Sequence, residues 1–282
     1  MKIHRHNLLL PTLAFFTAFA LLSILGCTKK SADSLSTIRT RGELTIGIFG
    51  DKPPFGYIDQ AGRNVGFDVA LAHELGRALL GDEKKVKFVT LEAANRVAFL
   101  QSNKVDLILA NFTNTPERAQ VVDFAEPYMR AALGVIVPEN SPLKTLADLK
   151  GYTLIVDKGT TAESYFVKNH PDIELLRFDQ NTEAFQALKD GRGAALSHDN
   201  MLLFAWNNEN PDFRLIESNL GNADVIAPAV KKGNTELLNW TNEQIVRLRK
   251  EGFFRRAYDS ELRPHFGSSI KDPGTVLVEP TP

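Results

Sequence analysis

The residues whose types and spacing point most directly to chemistry stand at 105–124, VDLILANFTNTPERAQVVDF. Positions 107–110 form a short apolar run of the kind buried on both faces of a parallel sheet, and 111–114 lead out of it. Thr115 suits an N-cap. Pro116 suits the first helical position, where a missing N–H costs nothing, and Glu117 complements the positive helix end. This order predicts Arg118 in a first helical turn, beside unpaired backbone N–H groups and the hydroxyls of Thr113 and Thr115. Such a donor set could grip a carboxylate, with the guanidinium as its bidentate partner. The same pattern also describes an ordinary strand-to-helix connection with a surface arginine.

Other chemistries find less support. Ser197, His198 and Asp199 are the residue types of a nucleophilic triad, but neighbours at a strand end point in alternate directions and cannot form the required relay. The histidines at 4, 6, 73, 170, 198 and 265 show no compact ligand spacing outside the leader, and GIFG at 47–50 lacks a dinucleotide fingerprint. Neither a metal nor a cofactor is expected. The 33 basic and 34 acidic residues are intermixed for a net charge of −1, which argues against a nucleic-acid surface.

The elements that must position these residues begin after a leader. Residues 1–26 join a basic start (Lys2, Arg5) to an apolar run at 8–25 broken by Pro11, the pattern of an export signal. No second apolar run approaches a membrane span. Cys27 is the single cysteine, which excludes an intrachain disulfide. Residues 27–36 read as a polar tether.

From 44 onward, strand and helix alternate. Residues 44–49 predict a strand, 51–54 a rigid loop, and 67–80 a helix with Leu71, Leu75 and Ala78 on one face, stopped by Gly81. A strand at 86–91 and a short helix through Val97 and Leu100 lead into the strand at 107–110. This order argues a parallel sheet with ligand sites beyond the carboxyl ends of its strands, where Phe49, Lys52 and Arg118 fall. After a strand at 133–137 and a linker at 138–142, the alternation restarts: strands at 153–156, 174–178 and 194–197, a helix opening at 159–161, and another at 183–189. Asp199 stands before a further helix. A strand at 225–230, a helix at 236–250 and a shorter one after Gly252 follow. The reading is two lobes, 37–129 with 224–267 and 130–223, and a carboxy-terminal tail at 268–282.

The chain beyond the leader resembles the polar amino-acid (family 3) solute-binding proteins. The resemblance is carried by GFDVALA at 66–72, NRVAFLQSNKVDLILA at 95–110, TPER at 115–118, DFAEPY at 123–128, DKGTTAESYF at 157–166 and ALSHDN at 195–200. Within the family, GDKPPFGY at 50–57, EAANRV at 92–97, ALSHDNMLLFAW at 195–206 and VIAPAVKKG at 225–233 are most similar to the cysteine-binding lipoprotein branch. ILGC at 24–27 resembles a lipobox, with isoleucine where leucine is commoner.

The resemblance implies an α/β, two-lobed periplasmic-binding-protein type II fold, with two mainly parallel sheets joined by two hinge strands. It implies a receptor that closes on one free amino acid, L-cysteine favoured and cystine, aspartate or glutamate as alternatives, and feeds the permease of an ABC importer. Arg118 with the backbone N–H groups of Thr113 and Thr161 would hold the ligand carboxylate. Asp199, the Asn111 carbonyl and the Thr113 hydroxyl would hold its ammonium, and Thr160 would support the second-lobe turn. Phe49, Lys52, Arg96, Tyr128 and His198 are candidates for the side-chain pocket. Arg96 could face an acidic ligand or lie on a helix surface, and Phe49 stands where relatives for basic or amide substrates carry an acid. Cys27 would be lipidated, anchoring the protein to a bacterial membrane so that it faces the periplasm or the outer surface. The rival from another class is a dehydratase-like enzyme on the same fold, which would need an acid or base aimed into the cleft. Glu163 is the obvious carboxylate besides Asp199, and a helix-surface role is its competing reading.

Overall fold

Two buried strands, Leu44–Ile48 and Ala195–Asp199, have no exposed residue on either face and form the spine of two separate sheets. The computed structural model describes residues 35–278. The leader, Cys27, most of the tether and residues 279–282 therefore lie outside the described residues. The elements run α1 (Leu35–Arg41), β1 (Leu44–Ile48), β2 (Asp51–Lys52), β3 (Gly56–Ile58), β4 (Asn64–Val65), α2 (Phe67–Leu80), β5 (Val86–Thr90), α3 (Arg96–Gln101), β6 (Leu107–Ile108), α4 (Pro116–Ala119) and β7 (Val122–Phe124). Then come β8 (Met129–Pro138), β9 (Thr153–Asp157), α5 (Thr161–Asn169), β10 (Glu174–Phe178), α6 (Asn181–Lys189), β11 (Ala195–Asp199), α7 (Asn200–Glu209), β12 (Phe213–Ile226), β13 (Ala229–Lys231), α8 (Thr235–Lys250), α9 (Phe253–Ala257) and α10 (Arg263–Phe266).

The first sheet has the order β5-β1-β6-β13-β7 and the second β10-β9-β11-β8-β12. In the first, β13 runs antiparallel to both neighbours, and in the second β8 does. The remaining strands of each sheet share one direction, so both sheets are mainly parallel. The chain leaves the first sheet after β7, enters the second on β8, and returns from β12 to β13. Met129 pairs with Ile226 where those two crossings lie side by side. Among the described residues, no helix is long and apolar enough to cross a membrane.

Several expected boundaries move for identifiable reasons. Residues 51–54 are not simply a loop, because β2 pairs with β3 and β3 with β4 in a small antiparallel sheet. Strands this short carry no readable periodicity. Residues 225–230 are two strands divided at Ala227–Pro228, where the chain changes sheets. Leu35 and Ile38 of α1 are buried, so the tether ends before Leu35. Within the carboxy-terminal tail, residues 276–278 join the crossing strands. Arg130 N donates to Val276 O (2.7 Å) and Val278 N to Tyr128 O (3.1 Å), with Val276 and Leu277 buried against the crossing strands.

Candidate functional site

Carboxyl ends of strands from both sheets converge on one narrow space with a cavity volume of about 10 Å³. Phe49, Lys52, Arg96, Asn111, Thr113 and Arg118 line it from the lobe of the first sheet, and Thr160, Thr161, His198 and Asp199 from the lobe of the second. Tyr128 does not line it. Its ring is fully buried and stacked on Phe254 (6.1 Å between centroids), and its hydroxyl donates to Asp68 Oδ1 at 2.7 Å. The expectation of a pocket wall is corrected here: Tyr128 sits in the core beneath the site.

Local sequence explains the two turns that face the space. The Thr115 hydroxyl accepts Arg118 N (3.3 Å) as the helix cap, with Pro116 opening α4. That hydroxyl is thus engaged within its own turn. Arg118 Nη1 donates to Thr113 O (2.8 Å), and Nη2 reaches Gly159 O (2.9 Å) on the other side. In the facing turn, Thr160 Oγ1 accepts Glu163 N (3.2 Å) and donates to Asp157 O (2.6 Å). Glu163 is a brace rather than an acid aimed into the cleft: Oε2 accepts Gly159 N (2.8 Å), and Oε1 pairs with Arg177 Nε (2.7 Å).

Arg96 is not a helix-surface residue. It is 3% exposed, and its guanidinium donates to the carbonyls of Ala93 (2.9 Å), Ala110 (3.1 Å), Asn111 (3.4 Å) and Gly159 (2.9 Å). Arg96 and Arg118 both stack on Phe112, 4.3 and 4.9 Å from its centroid. Burial lowers the basicity of both, to about 10 for Arg118, and Arg118 adds to the effect on Arg96. Two buried guanidiniums bonded to carbonyl oxygens attract an anion.

Asp199 occupies the N-cap position of α7, yet its side chain does not cap. Instead Oδ2 accepts Lys52 Nζ at 2.7 Å, while Nζ also donates to Asn111 Oδ1 at 2.6 Å. Burial acts to raise the Asp199 carboxyl, but the Lys52 ammonium chiefly overrides it and holds it at about 2. His198 Nδ1 accepts the Asp199 N–H (2.7 Å), which places the ring proton on Nε2. Burial and then Lys52 push this imidazole down to about 3, so it is neutral at physiological pH. Ser197 Oγ turns away to donate to Gly134 O (2.8 Å), and no nucleophilic relay forms with His198.

Three supporting residues are not evident from the sequence. Phe112 is the platform between the guanidiniums. Asp68, in the first turn of α2, accepts Asn111 N (2.9 Å) through Oδ2 and so anchors Asn111 at its φ of 45°. Burial raises Asp68 to about 6 against the pull of Tyr128 and Asn111. Asp157, at the end of β9, is 2% exposed, and neither carboxylate oxygen has a hydrogen-bond partner. An acid within GFDVALA and another opening DKGTT were the available signals.

Two α/β lobes joined by two crossing strands, with a polar space at their opposed strand ends, are the periplasmic-binding-protein type II architecture of solute receptors. The chain belongs to the bacterial extracellular solute-binding proteins, family 3, whose model matches residues 44–262. It is similar to the solved solute receptor for L-cysteine of Neisseria gonorrhoeae, at 56% identity and a TM-score of 0.85, covering 87% of this chain and 100% of that one. It is equally similar to the cysteine-binding protein from Campylobacter jejuni, at 56% identity and a TM-score of 0.86 over 87% and 99% of the two chains. The ABC transporter glutamine-binding protein of Bacillus subtilis (strain 168) is 30% identical over 264 residues, 89% of this chain and 96% of the relative.

Proposed function

We propose that this chain captures a free polar amino acid outside the cytoplasm, L-cysteine foremost, and delivers it to the permease of an ABC importer. The observation that carries the reading is the placement of Arg118 and Asp199 in different lobes around one small polar space. An α-amino acid is a zwitterion, and a dry site must supply a partner for each charge. Arg118 with the N–H groups of Thr113 and Thr161 receives the carboxylate. Asp199 receives the ammonium, helped by the Asn111 carbonyl and the Thr113 hydroxyl. Since the two charged partners belong to different lobes, the ligand favours the closed form by contacts that the open form lacks.

The choice of L-cysteine rests on the similarity to the two cysteine receptors and on a small side-chain region bounded by Phe49, Lys52, Arg96 and His198. An acidic amino acid is a second reading, favoured by the buried Arg96 guanidinium. A binding role rather than an enzymatic one agrees with Glu163 bracing its turn and Ser197 turned away. Cys27 after ILG is proposed as the lipid attachment point. Its test is the mass of the amino-terminal peptide from a bacterial membrane fraction, and an unmodified Cys27 there overturns it.

Calorimetry on ligand-stripped protein under reducing conditions tests the central reading against L-cysteine, cystine, aspartate and glutamate. Truncating one member of a desolvated charge pair costs about 2–5 kcal/mol, so Arg118→Ala and Asp199→Ala should each weaken binding at least tenfold. Failure to bind any amino acid, or equal binding after both substitutions, overturns the receptor reading.

A further inference from the structure

The Lys52 ammonium occupies acceptors that a zwitterionic ligand needs. Its Nζ donates to Asp199 Oδ2 and Asn111 Oδ1, and its side chain is 2% exposed. An arriving α-ammonium competes for the same carboxylate, and two ammonium groups crowded on one buried acid repel each other. Lys52 must then yield, yet a buried ammonium without an anion is strongly disfavoured. A second acid stands nearby. The His198 ring separates two acids, with Nδ1 3.6 Å from Asp199 Oδ2 and Nε2 3.4 Å from Asp157 Oδ2. Asp157 is buried with both oxygens unpartnered, and the flexible lysine stem lets its head group change partners.

Resting on the amino-acid reading above, we propose that Asp157 is a positioning residue for ligand capture, receiving the Lys52 ammonium when the ligand's ammonium takes Asp199. Occupation of the site is thereby coupled to a lysine that moves from one buried acid to another. The exchange explains why the fold keeps an unsatisfied carboxylate so close to a satisfied one.

The groups acting on Asp157 give this exchange a measurable sign. Asp51 and Lys52 face it from β2, His198 and Asp199 from β11, and Asp179 from beyond β10. Asp179 already pairs with Lys158 (2.8 Å), and Asp51 accepts from Asn181 Nδ2 (2.9 Å). Burial, then the neighbouring Asp51, pushes the Asp157 carboxyl up to about 7, so near neutrality it is partly protonated. Arrival of the Lys52 ammonium favours the carboxylate and expels that proton. Binding should therefore release about half a proton at pH 7 from this group, and less as pH rises.

The test is calorimetry of L-cysteine binding to the full, ligand-stripped chain in buffers of different ionisation enthalpy. The measurements compare wild type, Asp157→Asn, Lys52→Met and the double variant. Any proton lost by the ligand thiol is common to all four. The extra release should appear in wild type alone, and Asp157→Asn should weaken binding about tenfold in wild type but less than about twofold beside Lys52→Met. Equal proton release in wild type and Asp157→Asn, or an equal loss of affinity in both backgrounds, overturns the exchange and leaves the receptor reading standing. If Asp157→Asn does not fold, equal release by wild type and Lys52→Met overturns it instead. A wild type that binds no amino acid overturns both readings.

Discussion

Lys52 and Asp199, from opposite sides of the cleft, form a 2.7 Å ion pair in which their side chains are only 2% and 8% exposed. Breaking a buried pair within a core costs about 3–5 kcal/mol, because the remaining charge has no access to water. Here the orphaned partner lies between two lobes, which part under the proposed hinge motion. Asp199→Ala should therefore expand the protein in small-angle scattering while lowering its urea stability by less than that range. An unchanged scattering profile would show that other contacts hold the cleft closed.

Gly159 provides a separate handle on closure. Its carbonyl accepts from both Arg96 and Arg118, its φ is +73°, and an added Cβ would stand 2.5 Å from Ala94 Cα. Gly159→Ala should cost about 1 kcal/mol of folding stability through the left-handed backbone. The greater effect should be on closure: at least tenfold weaker ligand binding and a more open scattering profile, although no lining side chain has changed. An affinity equal to wild type would mean that the facing backbones shift to make room.

Tyr128 should separate stability from binding. Tyr128→Phe leaves Asp68 Oδ1 without the phenol donor, a loss of about 1–3 kcal/mol for a buried group. Because Tyr128 does not line the ligand space, affinity should remain within about threefold, under 1 kcal/mol. Urea denaturation and calorimetry on the same preparation check both parts.

Two buried acids should make stability depend on pH with an unusual sign. Burial raises Asp68 to about 6 and Asp157 to about 7, both above the ordinary 3.8. The folded state therefore holds more protons than the unfolded chain between about pH 4 and 7, and these two groups lose stability as pH rises through that window. Asp199 has the opposite sign: held at about 2, it contributes stability above its ordinary value that is lost as pH falls towards 2. Asp157→Asn should therefore gain stability relative to wild type from pH 4 to 7, by a few kcal/mol at most. Melting temperatures of ligand-stripped proteins across that range provide the check, and a constant difference refutes it.

Local patterns made most of the architecture legible. The helix at 67–80 and the strand at 174–178 agree with the structure at both ends, because an amphipathic repeat or a β-rich run bounded by turn residues is complete within its own segment. The placement of Arg118 was legible for the same reason, since Thr115 and Pro116 set the helix start beside it. Lys52 was recognisable as an edge residue, but its partner was not, because Asp199 lies far along the chain in another sheet. Tyr128 shows the converse: its motif located it near a crossing without indicating which way its ring turned.

What the sequence determined by itself was the alternation of strands and helices, the restart that makes a second lobe, and the turns where polar side chains gather. These depend on periodicity and capping, which act between near neighbours. Only the tertiary structure decided that Arg96 is buried on Phe112, that Tyr128 serves the core, and that Asp157 stands unpaired beside His198. Burial and charge pairing depend on which distant segment covers a side chain, and that information exists only once the two sheets face each other.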